Sequence, residues 1–199
     1  MKLPKSFYTQ NNVVEIARQL LGKYLFTDFE GELCAGMIVE TEAYSGAFDK
    51  ACHAHFKKRT QRTEIMYQEG GIAYIYLCYG IHSLFNVVTN ELDTADAVLI
   101  RALEPKIGIE TMLKRRKLTK KQYRLTAGPG IMSQAMGITT QYNGIDLIGN
   151  QIWLEDQGIY PTRKNILASP RIGIDYAEED ALLPWRFTLA GNPWCSKSK

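Results

Sequence analysis

No C-x-x-C pair occurs in this sequence. Its four cysteines, Cys34, Cys52, Cys78 and Cys195, stand far apart, which argues against a disulfide framework and a four-cysteine metal site. Histidine is scarce, with three in the chain, and the zinc nucleobase deaminase pattern of H-x-E followed by P-C-x-x-C is missing. No apolar run reaches the roughly 18 residues that a membrane helix needs. The opening "MKLPKSFYTQ" has no apolar signal core. These absences point to a cytoplasmic protein with reduced thiols and no membrane partner. Internal repeats, low-complexity tracts and dividing linkers are also lacking, so residues 1–199 are expected to form one domain.

Net charge is only +3, too little by itself to require a polyanion. Its distribution says more. Lys57, Lys58, Arg59 and Arg62 form one basic run, and Lys114, Arg115, Arg116, Lys117, Lys120, Lys121 and Arg124 a second; together they hold 11 of the 24 Lys and Arg. Acids gather elsewhere, as in "DYAEED" at 175–180. One positive side suits a phosphate backbone; two solvated faces are the plainer alternative.

"NNVVEIARQLLGK" reads as a helix with Val13, Ala17, Leu20 and Leu21 on one face, Asn11 or Asn12 as cap and Gly22 as stop. "KYLFTDF", "ELCAGMIVETEAY", "IAYIYLCY", "SLFNVVTN" and "DAVLIRALE" read as strands. After Pro105, "KIGIETMLKRRK" reads as a helix with a basic end. "TAGPGIMSQAMGI" reads as a Gly-Pro-Gly turn feeding a short helix closed by Gly137. "QIWLED", "RIGIDY" and "WRFTLAG" read as further short strands. Mostly consecutive strands without strict β-α-β alternation indicate an α+β fold: a curved, largely antiparallel sheet surrounded by helices, with a protruding hairpin.

In "IVETEAYSG" an unbroken strand would put Glu40, Glu42 and Tyr44 on one face. Two carboxylates suggest O-glycoside hydrolysis, where the pair flanks the scissile bond about 5–9.5 Å apart. Side chains i and i+2 are about 6.7 Å apart, but they point the same way and cannot straddle a sugar. One working and one supporting glutamate is the expected division, unless a bulge turns Glu40 away. Arg101 ends an apolar strand and calls for a carboxylate or phosphate partner. "ACHAH" could offer His53 and His55 to a metal from a strand, but no third ligand sits at a usual spacing. Tyr74 and Tyr76 share a parity, while Tyr79 precedes Gly80 at the hairpin turn. Tyr79 is therefore either a wedge between stacked bases or part of an ordinary aromatic cluster. Arg59 and Arg62, with the backbone of Gly128 and Gly130 at a helix start, are candidate phosphate contacts.

Taken in order, "VETEAY", "ACHAH", "RTQR", "AYIYLCYGIHSLFNVVT", "VLIRALEP", "TAGPG" and "RFTLAGNPW" resemble the alkyladenine (3-methyladenine) DNA glycosylase family, over about Leu3 to Trp194. The resemblance implies a monofunctional enzyme without metal or cofactor. It would act as a monomer on duplex DNA containing damaged purines: 3-methyladenine, 7-methylguanine or hypoxanthine. It implies that Glu42 activates water, that Arg101 stands beside that water, and that Tyr44, His53 and Tyr76 line the base pocket. It further implies Asn86 at the pocket floor, crowding the amine of guanine, and Tyr79 in the minor groove. A cationic alkylated purine would be drawn to aromatic faces and leave readily, so one carboxylate suffices. The family often has Gly where Lys57 stands and Asn where Thr63 stands, which leaves that loop's contacts open. Two other readings remain: a non-catalytic binder of damaged DNA, and a metal-dependent hydrolase using Cys52, His53 and His55.

Overall fold

The stretch from Glu32 to Ser45 is small or apolar at most positions, the pattern of a strand covered on both faces. In the computed structural model, which describes residues 1–196, it is the central strand, β2. Among the described residues eight strands form one sheet: β1 (Tyr24–Phe29), β2 (Glu32–Ser45), β3 (Ala73–Cys78), β4 (His82–Thr89), β5 (Asp96–Ile107), β6 (Ile152–Glu155), β7 (Ile166–Ser169) and β8 (Arg186–Leu189). The order is β3-β4-β5-β2-β1-β6, and every pairing is antiparallel. β8 joins β2 at Glu40–Glu42 and carries β7 on its other edge. The α+β class expected from the sequence is the class found.

Among the described residues four α-helices accompany the sheet: α1 (Lys5–Tyr8), α2 (Val13–Gln19), α3 (Ile109–Arg116) and α4 (Pro129–Met136). α2 starts as its sequence dictates, with the Asn12 side chain accepting the Glu15 N–H at 3.0 Å. Ile16, Leu20 and Leu21 pack with Ile38, Ile100 and Leu103 of the sheet in the main core. α4 contributes Met132 and Met136 to the same core and ends at Gly137, whose φ is 75°. A smaller cluster, including Cys52, Met66, Tyr74 and Ala97, lies apart from it.

Three local expectations are corrected. Pro105 does not open a helix: β5 runs through it to Ile107, and α3 begins only after Gly108 with φ 72°. Pro105 faces Gly36, where the register with β2 shifts, so a missing N–H is tolerated there. "RIGIDY" is not a strand. Gly173 takes φ 78°, and the Ile172 N–H is given to a side chain rather than to a neighbouring strand; 3₁₀ turns then run from Asp175 to Leu182. The strand in this region is β7, which the sequence reading missed. "ACHAH" is also not a strand. The Asp49 carboxylate accepts the Ala51 N–H at 3.0 Å, a local side-chain bond that holds the chain in turns.

β3 and β4 form the protruding hairpin, paired from Ala73↔Val87 to Cys78↔His82. Tyr79 and Gly80 at its tip both have positive φ, 50° and 72°, as a tightly twisted hairpin turn demands. Tyr79 is 91% exposed.

Candidate active site

Glu40 and Glu42 do share a face, and that face is dry: both are wholly buried. Register shifts flank Glu40 between Ile38 and Glu40 and between Glu40 and Thr41, leaving Arg101 as an extra residue on β5. The bulge aims Arg101 between the two carboxylates. Its Nε donates to Glu40 Oε1 at 2.9 Å and its Nη1 to Glu42 Oε2 at 3.1 Å.

The remaining partners divide the glutamates. Glu40 turns toward β8 and the end of the chain. It accepts from Arg186 Nε at 2.7 Å, from the Ser196 N–H at 2.6 Å and from Ser196 Oγ at 2.7 Å. Burial opposes its ionisation, but Arg101, Ser196 and Arg186 outweigh that and hold its carboxyl below the ordinary range. Glu42 turns toward Tyr44 and the segment after β7. It accepts the Tyr44 hydroxyl on Oε2 and the Ile172 N–H on Oε1, both at 2.8 Å. Burial and the adjacent Glu42 push the Tyr44 hydroxyl far above its usual range, so it stays a donor. Arg101 stays cationic because Glu42 and Glu40 more than offset its burial.

Tyr44, Arg101 and Ile172, the three donors to Glu42, all belong to the wall of a cavity of about 620 Å³. That volume is within the roughly 300–1,000 Å³ usual for ligand sites. One side of the cavity is aromatic: Tyr74 and Tyr76, 5.5 Å apart, with His53 set edge-on to Tyr76 at 4.6 Å. His53 Nδ1 lies 2.9 Å from the Tyr74 hydroxyl. Burial, aided by Arg62, lowers the His53 pKa to about 4, so its ring is neutral at pH 7. Asn86 also lines the cavity. Its Nδ2 donates to the carbonyls of Tyr74 at 3.1 Å and Leu84 at 3.3 Å, leaving Oδ1 as an acceptor.

Tyr79 stands on the cavity rim, and Gly128 and Gly130 line the cavity at the start of α4. Gly130 is required by close approach: a Cβ there would sit 2.8 Å from the His82 ring. Arg62 reaches the cavity, but Arg59 does not. Arg59 is spent on Glu64 at 2.7 Å and Asp93 at 2.8 Å, so it is no free phosphate ligand. Among the described residues no group of three or more His, Cys, Asp or Glu is placed to hold a metal. Cys52 is buried, and burial pushes its thiol up to about 12.

Sequence reasoning missed Tyr74 as a wall, Ile172 as a backbone donor, and the buried pair behind them. Arg171 holds Asp49 at 2.5 and 2.8 Å, with both side chains inaccessible. It also lies over the Tyr44 ring at 4.7 Å. A backbone donor leaves no residue signature, but a cation followed by "IGI" was a visible signal.

The family model for methylpurine-DNA glycosylase matches residues 6–193. The chain belongs to that family. Relatives of similar length agree, each bearing the name "Putative 3-methyladenine DNA glycosylase". One from Chlamydia felis is 49% identical over 188 residues, covering 94% of this chain and 95% of the relative. One from Chlamydia abortus is 50% identical, covering 94% and 97%. One from Alkaliphilus oremlandii is 46% identical, covering 99% and 100%. The protein is thus a DNA glycosylase, a hydrolase of N-glycosyl bonds. In this glycosylase Thr63, the departure noted above, is buried. Its hydroxyl donates to the Lys58 carbonyl at 2.9 Å and accepts the Thr60 N–H at 2.9 Å, so it ties the basic loop together.

Proposed function

We propose that the glycosylase extrudes an alkylated or deaminated purine from duplex DNA into the 620 Å³ cavity and hydrolyses its bond to deoxyribose, leaving an abasic site. The observation that carries this reading is the placement of Glu42 behind the cavity wall, bonded to three of its members. A carboxylate has about four acceptor positions. With three filled, one is left for a water. That water would give a proton to Glu42 while its oxygen attacks C1′, and the electrons of the N-glycosyl bond leave with the base. A base already cationic departs neutral. Hypoxanthine must take a proton from solvent or from an acid not yet identified.

Tyr76 and His53 present aromatic surface for the base, and Asn86 crowds the position of the guanine amine. Tyr79, exposed at a hairpin tip, fills the gap left in the stack. An apolar wedge compensates part of the few kcal/mol that unstacking costs. Gly128, Gly130 and Arg62 would meet phosphate, and the protein would act as a monomer.

The test is a panel of duplexes carrying a single hypoxanthine, 7-methylguanine or 3-methyladenine, without added metal. Glu42→Gln should slow abasic-site formation by about 10²–10⁴ while lesion binding persists. Excision at the wild-type rate by this variant would overturn the role of Glu42. Lesion-selective binding by the wild type, with no abasic product after long incubation, would overturn excision.

A further inference from the structure

Arg62 holds a position that a phosphate contact does not need. Its guanidinium carbon lies 4.9 Å from the centroid of the Tyr76 ring, and its Nη2 lies 3.4 Å from His53 Nε2. Both rings are cavity walls, and Arg62 lines the same cavity. Its neighbour in the basic run behaves differently: Arg59 is neutralised by Glu64 and Asp93. Arg62 has no carboxylate partner among the described residues. Arg62 is exposed, but its guanidinium lies against the aromatic side of the cavity with no carboxylate beside it. The neutral His53 ring can accept from it, since burial and Arg62 itself bring that ring's pKa to about 4.

An aromatic face attracts a cation, but two cations sharing one face repel each other. A purine alkylated at N7 or N3 brings its own positive charge to Tyr76; hypoxanthine brings none. We propose that Arg62 is a specificity-determining residue of the glycosylase: its guanidinium occupies the cation position of the base pocket and biases excision toward neutral purines over cationic ones. The inference rests on the reading of the cavity as the base pocket. Arg62 then has a cost that a lysine or arginine out on the phosphate track would not carry, because each cationic base must displace it or bind beside it.

Single-turnover excision from duplexes with one 7-methylguanine (cationic) or one hypoxanthine (neutral) tests this in wild type, Arg62→Gln and Arg62→Lys. The ratio of the two rates cancels any loss of phosphate contact, which slows both lesions alike. The expected result is a ratio of 7-methylguanine to hypoxanthine that rises about tenfold in Arg62→Gln and stays within about threefold of wild type in Arg62→Lys, which keeps the charge. A ratio in Arg62→Gln within about threefold of wild type overturns the proposal, even if both rates fall together. An equal rise in Arg62→Lys overturns it too, since charge would then not be the cause. If the wild type releases neither base, the base-pocket reading fails and the role of Arg62 falls with it.

Discussion

Glu40 and Glu42 are two residues apart, equally buried and joined through Arg101, yet their other partners differ. Glu40 is enclosed by Arg101, Arg186 and Ser196, whereas Glu42 is bonded to three residues of the cavity wall. Glu40→Gln keeps the shape and removes the charge, leaving two buried guanidinium groups one carboxylate short. Breaking such a buried network costs about 3–5 kcal/mol, so urea denaturation should show a loss of that order. An unchanged midpoint would refute the structural role. Its pH signature follows from the same contacts. The carboxyl is held below its ordinary value in the folded state, so its stabilisation is complete above the unfolded pKa of about 4.3 and fades as pH falls below it. Wild type should lose stability on acidification below that point more steeply than Glu40→Gln. That the two glutamates stand on one face and are poor partners for paired action was readable from strand direction. Which partner each would find was not, because Arg186 and Ser196 are over 140 residues away in sequence.

Several elements fixed by short-range chemistry were readable, though the Asp49–Ala51 turn was not, and those fixed by distant side chains were not. The Asn12 cap, the Gly137 stop and the Tyr79-Gly80 turn each depend on a few adjacent residues. At the turn, Tyr79→Ser should leave folding within about 0.5 kcal/mol, since the side chain is exposed. It should weaken lesion-duplex binding by about 1–3 kcal/mol, the usual worth of one base-stacking aromatic. Equal affinity for the lesion duplex in this variant would remove Tyr79 as the wedge. The misread segment is the opposite case. "RIGIDY" has the apolar alternation of a strand, but Arg171 draws it inward to Asp49, 122 residues earlier. That pair anchors Ile172, whose N–H holds Glu42. Arg171→Met leaves Asp49 buried without its partner and should cost about 3–5 kcal/mol. The double variant Asp49→Asn/Arg171→Met should be more stable than the single one, because no unpaired charge remains. If the double variant is the less stable of the two, the pair is not the coupled unit its geometry describes.

Across the whole molecule, the structure redistributes the charge that the sequence counts, and with it the attraction available to phosphates. The first basic run is weaker than it reads, because Arg59 is bound to Glu64 and Asp93. The second keeps more: Arg115 pairs with Glu32, but Lys114, Lys117 and Lys120 are exposed and without an ion-pair partner among the described residues. Lys114 lies in α3 and Lys117 and Lys120 come after it; α3 packs on α4 where Gln134 accepts from Arg116 and donates to the Arg115 carbonyl. α4 begins at the cavity edge and is eight residues long, about 12 Å at 1.5 Å per residue. At 3.4 Å per base pair, a duplex lying along α4 would be spanned for roughly three to four base pairs from the cavity, which would bring flanking phosphates within reach. Each phosphate neutralised contributes about 0.9 to the slope of log affinity against log salt. Replacing Lys114, Lys117 and Lys120 together by Gln should therefore lower that slope by about 2–3 on an unmodified duplex. Arg59→Gln should leave it nearly unchanged. Titrations of both variants between 50 and 200 mM salt, a range over which such contacts are roughly resolved, decide the matter. A full slope in the triple variant would put the α3 end off the DNA track and leave the search to the hairpin side, where Lys57, Lys58 and Arg62 are exposed.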